Sequence, residues 1–228
     1  MPHRDEPPRR RLDRATVVRE AIALADEDRL DALNMRALAA RLGVVPMALY
    51  KHVADKDDLI ARMVDLLIES YPSPEAAGDW RARVRARVLS AREAIVAHPW
   101  LSAAIDGRTR RTETVLDHLN AVAGDFIEGG VSPDLTHYAM HALGNRIWGY
   151  STEAFDDADA PTTADADQPA IVEYMTARFP HVVTIAMDAV QRRPSGSCEQ
   201  QQEFEFTLDL LLDSVERLHA AGWESRRA

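Results

Sequence analysis

Cysteine, lysine and long apolar runs are scarce in this chain of 228 residues. The single cysteine, Cys198, excludes an intrachain disulfide framework and any zinc or iron–sulfur site built from several cysteines. No run of about 18 apolar residues occurs, so we predict no membrane-spanning helix. The first residues, MPHRDEPPRRRLDR, are basic but lead into no apolar segment, which argues against a secretory signal. These absences favour a soluble cytoplasmic protein.

The net charge of −10 is unevenly distributed along the chain. Residues 1–60 hold eleven basic and eleven acidic side chains, whereas the remainder holds sixteen basic and twenty-six acidic ones. Five arginines precede residue 15. An acidic average taken alone argues against a nucleic-acid partner. The first part has no net charge and begins with a basic arm, whereas the rest of the chain is acidic. This distribution indicates two parts with different partners.

Apolar residues recur at helical spacing, and no convincing two-residue alternation typical of strands occurs. Val18, Ala21, Ile22 and Ala25 form one apolar face of a first helix, which we expect to end in the polar stretch 26–31. The sequence therefore predicts an all-α fold. The further predicted helices cover residues 35–42, 46–52, 56–71, 79–97, 109–128, 133–155, 169–178, 182–191 and 200–220.

Helix start and stop signals divide the chain into parts. Asp13, Asn34 and Asp55 are good N-cap residues, and Tyr71-Pro72-Ser73-Pro74 ends the fourth helix. We predict a flexible basic arm over residues 1–12, a three-helix head over 13–71 and a larger helical body over 75–228. The acidic stretch 156–168 has few large apolar residues and is expected to form a loop.

Two short helices joined by Gly43-Val44-Val45 form a predicted helix-turn-helix. Such a unit lets one helix enter a DNA major groove about 12 Å wide while the other braces it. Glycine at the first turn position permits the positive φ that the bend requires. A purely structural helical turn satisfies much of the same pattern, so both interpretations remain open at this level.

Residues 33–59, LNMRALAARLGVVPMALYKHVADKDDL, closely resemble the DNA-binding domain of tetracycline-repressor (TetR) family regulators. The resemblance is carried by three elements. These are the run RALAARLGV from Arg36, the run LYKHV from Leu49, and Lys56 followed by Leu59. Later segments, with a His98-Pro99-Trp100 turn and a leucine-rich last helix, look more loosely like the tetracycline-repressor-type C-terminal domain.

The resemblance implies a homodimeric, ligand-responsive regulator, most simply a repressor, whose heads bind a palindromic operator and whose body holds an effector pocket. Tyr50, His52 and Lys56 would contact phosphates. The alternatives are a half-buried core ring for Tyr50, an intramolecular hydrogen-bond donor for His52 and a solvated helix start for Lys56. Arg36 would lie near a base edge or a phosphate. The residues expected to face the groove are Val44, Pro46, Met47 and Ala48.

The expected recognition helix departs from a donor-rich pattern. Val45, Pro46, Met47 and Ala48 offer no side-chain hydrogen bond to a base. We therefore expect thymine methyl contacts, Arg36 and DNA shape to carry specificity. The basic arm Arg9–Arg11 reaches the DNA backbone or minor groove in one interpretation and is a solvated tail in the other.

The last helix is a candidate dimer surface because its apolar residues cover more than one face. Burial within a single subunit is the alternative interpretation. The long helix from Ser132 is the second candidate, since Ala139, Ala142 and Gly149 permit close approach. The predicted interface residues of the last helix are Phe204, Leu208, Leu211, Val215 and Leu218.

Aromatic and polar residues on the body helices are candidates for the effector pocket, although each is individually more typical of core. The candidates are Trp100, His118, Tyr138, His141, Asn145, Trp148 and Met175. His137 and His141 have the i, i+4 spacing of a metal-chelating pair, but no carboxylate lies beside them to complete a site. We predict no metal and no cofactor.

Two other functions are alternatives to DNA binding. An enzyme is disfavoured because the sequence has no glycine-rich phosphate loop, no G-x-S-x-G motif and no histidine–carboxylate cluster at catalytic spacing. Cys198 has no evident activating base. A helical protein-interaction module that never meets DNA is the other rival. Steep weakening of binding with added salt separates it from a DNA-binding protein.

Overall fold

A computed structural model describes residues 12–74, 79–107, 111–148, 168–192 and 200–226. These residues form helices and connecting segments without a strand, which confirms the predicted all-α fold. The helices are α1 (Arg14–Ala32), α2 (Met35–Arg41), α3 (Pro46–Leu49), α4 (Lys56–Glu69), α5 (Trp80–Ala97), α6 (Leu101–Asp106), α7 (Glu113–Glu128), α8 (Pro133–Trp148), α9 (Gln168–Arg178), α10 (Pro180–Arg192) and α11 (Gln200–Ala220).

The chain divides into two compact units. The first comprises residues 1–149 and 211–228, and the second comprises residues 150–210. Helices α1 to α8 therefore belong to the first unit, while α9 and α10 belong to the second. The predicted arm with Arg9–Arg11, the acidic stretch 156–167, Gly149 and Cys198 lie outside the described residues.

The helix caps of the head are those that the sequence predicts. The Asp13 carboxylate accepts from Thr16 N at 2.7 Å, and the Asp55 carboxylate accepts from Asp58 N at 2.7 Å. Asn34 Oδ1 accepts from the backbone nitrogens of both Arg36 and Ala37. Each cap satisfies backbone N–H groups that have no partner inside their helix.

Three helix boundaries differ from the predictions. Helix α3 ends at Leu49 instead of residue 52, and residues 50–52 form a turn in which His52 N donates to Leu49 O in the tighter i to i−3 pattern. Helix α7 begins at Glu113 instead of residue 109, since Thr112 caps it by accepting from Val115 N. The short helix α6 was not predicted, and α8 is described only as far as Trp148.

The predicted end of the first helix coincides with a backbone break. Arg29 has φ 68° and ψ 159°, which interrupts α1 within the polar stretch 26–31. This region of conformational space is occupied almost only by glycine. Arg29 is the only non-glycine residue with positive φ among the residues that the structure describes.

One hydrophobic core runs through the head and into the first body helices. Fully or almost fully buried side chains of α1, α2 and α4 belong to the same cluster as Trp100, Leu101 and Ala104. Between α5 and α7, the buried Asp125 carboxylate accepts from Arg83 Nε at 2.8 Å and from Arg87 Nε at 2.6 Å. The main head members of the core are Val17, Val18, Ala21, Leu33, Leu38, Ala39, Leu49, Leu59, Met63 and Val64.

Candidate nucleic-acid interface and effector cavity

A tight turn at Gly43 sets the angle between α2 and α3. Gly43 has φ 66°, Gly43 N donates to Ala40 O, and Val44 N donates to Ala39 O at 2.9 Å. This pair of bonds is the Schellman arrangement, in which a left-handed residue closes the helix. An added Cβ at Gly43 would meet no atom within 4 Å, so the glycine is required by its backbone conformation and not by space.

The inner face of the helix-turn-helix is firmly anchored. Leu38, Ala39 and Leu49 are at most 1% exposed. Arg41, at the end of α2, makes a bidentate contact with Glu27 at 2.6 and 2.8 Å and a further contact with Glu20 at 3.0 Å. These bonds fix the end of α2 against α1, and the Arg41 guanidinium holds the pKa of Glu27 below its usual range.

The outer face presents the residues that the sequence assigns to DNA. Met47 is 73% exposed and Tyr50 is 48% exposed. Arg36 and Pro46 are also exposed, whereas Val44, Ala48, His52 and Lys56 are half-buried. None of the eight residues is buried, and they belong to α2, α3, the start of α4 and the segments between these helices.

A bond from the first helix supports the segment after α3. Arg14 Nε donates to the backbone oxygen of His52 at 3.1 Å. At the start of α4, Asp58 Oδ2 accepts from Ala54 N at 2.9 Å while Asp58 N donates to Asp55. These hydrogen bonds hold the segment between α3 and α4. They therefore fix the backbone at His52 relative to α1 and the start of α4 at Lys56.

A small cavity lies among α5, α7 and α8. Its volume is about 40 Å³, and its wall is apolar except for one histidine, His118. Burial lowers the pKa of His118, and the positive charge of Arg87 lowers it further. The imidazole is therefore neutral at pH 7 and can donate from one nitrogen and accept at the other. The cavity is lined by Val88, Ala91, His118, Leu119, Val122, Met140, Leu143 and Gly144.

The ring of Tyr71 packs against the ring of this histidine. The two rings meet edge to face with their centroids 5.3 Å apart. The Tyr71 hydroxyl is buried and has no hydrogen-bond partner in the described structure. Burial also raises the pKa of Tyr71 to about 12. Sequence reasoning missed Tyr71 because it was interpreted only as part of the segment that ends α4.

The other predicted effector residues are scattered. Trp100 is buried and donates to Asp26 Oδ1, so it belongs to the contact between α1 and the segment after α5. Tyr138 is 52% exposed and packs on Trp223. His141 is exposed beside His137, and Met175 is in the second unit. The side chains of Asn145 and Trp148 lie outside those that the structure describes. Of the five candidates whose side chains are described, His118 is the one that lines the cavity.

The predicted dimer stripe on α11 is largely interior. Phe204, Leu208 and Val215 are at most 8% exposed within the single chain, and Leu211 and Leu218 are half-buried. A buried side chain has little surface left for a partner, which is what burial within one subunit would produce, and the interface role of those three residues stays a prediction. The exposed large apolar side chains of α11 are Phe206 and Leu210.

The described residues contain neither a candidate membrane-spanning helix nor a candidate metal cluster. Within them, no helix is both long enough and apolar enough to cross a membrane. No group of three or more histidine, cysteine or acidic side chains there is placed to hold a metal ion.

Comparison with known proteins identifies the family. The family model of the tetracyclin repressor-like C-terminal domain matches residues 71–218, which is well over half of the chain. Tetracycline repressor protein class G of Vibrio anguillarum is 29% identical over 217 residues, covering 92% of this chain and 97% of that protein. The chain belongs to the tetracycline-repressor (TetR) family of ligand-responsive transcriptional repressors, a family without enzymatic activity.

Solved structures show the same fold. A possible TetR family transcriptional regulator from Streptomyces coelicolor A3(2) matches with a TM-score of 0.69 and 25% identity, covering 90% of this chain and all of that one. ActR from Streptomyces coelicolor in complex with actinorhodin matches with a TM-score of 0.67 and 23% identity, covering 91% of this chain and 98% of that one.

Proposed function

We propose that two copies of this protein bind a palindromic operator in the cytoplasm and leave it when a small molecule enters the body of either copy. The observation that carries the proposal is the exposed surface of α2 and α3. Buried side chains beneath this surface and the left-handed turn at Gly43 hold the two helices in place. A helix held in this way can enter a major groove without deforming the head.

Phosphate contacts from Tyr50, His52 and Lys56 fix the head on the duplex. A phenol hydroxyl, an imidazole N–H and an ammonium group are all phosphate donors, and they set register without reading sequence. Support comes from the 48% exposure of Tyr50 and from the partial exposure of His52 and Lys56. The bond from Arg14 to the His52 backbone stiffens this surface.

The dimer surface in this proposal is the exposed face of α11. Phe206 is 66% exposed and Leu210 is 48% exposed. Each stands two residues, or about 200° of helix rotation, from a buried residue, Phe204 or Leu208. A second copy that covers this face removes apolar surface from water and sets two heads about 34–36 Å apart, the spacing of successive major grooves.

The cavity beside His118 is the proposed effector site. Its present volume of about 40 Å³ admits only a few water molecules, whereas small-molecule sites are roughly 300–1,000 Å³. A ligand of ordinary size therefore enters only if α5, α7 and α8 move apart. The complex of ActR with actinorhodin provides precedent for small-molecule binding in a protein of this fold.

Release from DNA follows from coupling between this cavity and α4. Tyr71 comes two residues after the end of α4 and packs on His118, and Asp65 within α4 accepts from Thr112 Oγ1 at the cap of α7. Movement of α7 on ligand binding therefore displaces α4 through these two contacts, and α4 belongs to the head. Coupling of this kind typically amounts to roughly 1–3 kcal/mol.

The test is selection of bound duplexes from a random DNA pool. We expect enrichment of an inverted repeat whose half-site centres are about one helical turn apart. Phe206→Glu serves as the interface variant, expected to shift sedimentation toward the monomer and to abolish the enrichment. Leu116→Glu is the matched control, since Leu116 is 52% exposed on α7. If no sequence is enriched, operator binding is refuted, and the helical protein-interaction module becomes the favoured function.

A further inference from the structure

The start of the recognition helix α3 is an exposed apolar surface. Val45 is 68% exposed and Met47 is 73% exposed, and Pro46 between them is also exposed. Leu49 of the same helix is fully buried and fixes the helix in place. These apolar side chains are exposed to water and do not contribute to the core of the head. A group of exposed apolar side chains is typical of a binding surface.

The chemistry of this surface limits what it can recognise. Val45, Pro46, Met47 and Ala48 carry no side-chain hydrogen-bond donor or strong acceptor. In the major groove, three of the four bases present only hydrogen-bonding groups, whereas thymine also presents its C5 methyl group. That methyl group is the one apolar feature of the groove that apolar side chains can match.

Arg36 is available for a polar contact. The Arg41 guanidinium is held by Glu27 and Glu20. The guanidinium of Arg36 is exposed at the start of α2, and it has no ion pair within the described residues. A free guanidinium can donate two hydrogen bonds to guanine O6 and N7. The head thus presents an exposed arginine as well as exposed apolar side chains.

We propose that each operator half-site is read through thymine C5 methyl groups by Val45 and Met47, together with one guanine by Arg36. The inference deepens the proposed function and rests on it. It predicts that specificity at the thymine positions depends on the methyl group and not on the base-pairing pattern.

Single thymine-to-uracil replacements in the selected operator test this directly, because uracil pairs identically and lacks only the methyl group. At one or two positions in each half-site we expect affinity to fall about fourfold, the factor that corresponds to about 0.8 kcal/mol for one buried carbon. At the same positions, 5-methylcytosine should bind more tightly than cytosine by a similar factor. Equal affinity for thymine and uracil at every position would overturn the inference.

Protein variants connect the effect to particular residues. Met47→Ala and Val45→Ala should each reduce the discrimination between thymine and uracil. Tyr50→Phe, which removes a proposed phosphate contact, should weaken binding overall and leave that discrimination intact. Arg36→Ala should relax the preference for guanine at one position only, and an unchanged base preference would contradict its role. Failure to select any operator would refute the proposed function itself, whereas a bound operator that is indifferent to uracil refutes only this inference.

Discussion

Trp100 Nε1 donates a hydrogen bond of 2.6 Å to Asp26 Oδ1 across 74 residues of sequence. The same carboxylate lies 2.9 Å from His98 Nδ1, which must be the donor because an ionised carboxylate only accepts. Asp26 belongs to α1 of the head, and the other two residues lie just after α5. One carboxylate therefore ties the head to the segment that leads into α6.

Loss of this carboxylate should weaken the whole first unit. Asp26→Ala leaves the indole N–H of a side chain that is only 6% exposed without a partner, which typically costs about 1–3 kcal/mol. Urea unfolding measures the change. Asp28→Ala, at an exposed position on the same helix, is the control. In a double-mutant cycle with Trp100→Phe, additive effects would show that the two side chains do not interact.

The turn at Gly43 should tolerate no side chain. Gly43→Ala places a Cβ on a residue with φ 66°, and we expect it to destabilise the protein by about 1–2 kcal/mol and to weaken operator binding. Gly124→Ala is the matched control, because Gly124 lies inside α7 and an added Cβ meets nothing within 4 Å. That substitution should stabilise by roughly 0.5–1 kcal/mol. Effects of the same sign would contradict the account of the turn.

The break in α1 offers a stabilising substitution. Arg29→Gly removes backbone strain of about 1–3 kcal/mol at a residue with φ 68° and ψ 159°. Part of this gain is offset by the greater freedom of glycine in the unfolded chain. We expect a higher thermal unfolding midpoint. Arg19→Gly, in the regular part of α1, should lower it instead, and a fall in both variants would show that position 29 is unstrained.

His118 should make stability depend on pH in the mildly acidic range. Its pKa is lower in the folded protein than its unfolded value of about 6.5, so the unfolded state binds a proton more readily. The free energy of unfolding should therefore decrease as the pH falls below about 6.5. Urea unfolding at pH 7.5 and 5.5 measures this decrease. Both His118→Phe and His118→Gln should diminish it, and an unchanged decrease in both would refute the assignment.

Tyr71 should produce the opposite dependence in alkaline solution. Its pKa is raised from about 10 to about 12 in the folded protein, so the unfolded state loses its proton first as the pH rises. Stability should decline from pH 10 upward, and Tyr71→Phe should lessen that decline. At pH 7 the same variant should be as stable as the parent or more so, because it removes a buried hydroxyl without a partner. A large loss at pH 7 would indicate a hydrogen bond to that hydroxyl.

Local signals predicted the helix caps and the turn at Gly43, and long-range packing explains what they missed. The caps at Asp13, Asn34 and Asp55 and the turn at Gly43 depend on residues at most four positions away, so sequence spacing is enough to predict them. The Asp26–Trp100 bond joins residues 74 positions apart, and the polar stretch around Asp26 indicates only a helix end.

The cavity shows the same limit. Aromatic and polar residues occur throughout the body, and helical spacing does not reveal which faces of α5, α7 and α8 meet. His118 was predicted among seven candidates, but its pairing with Tyr71 depends on how the end of α4 packs against α7. The apolar stripe of α11 was likewise recognised, whereas its division into the buried Phe204 and the exposed Phe206 required the three-dimensional packing.

Sedimentation of the purified protein with a selected inverted-repeat duplex, repeated at several salt concentrations, tests the central claim most directly. The account predicts two protein copies on each duplex, much weaker binding to an isolated half-site, and affinity that falls steeply with salt as phosphate counterions return. A single copy on each duplex, or an affinity that does not change with salt, would contradict it.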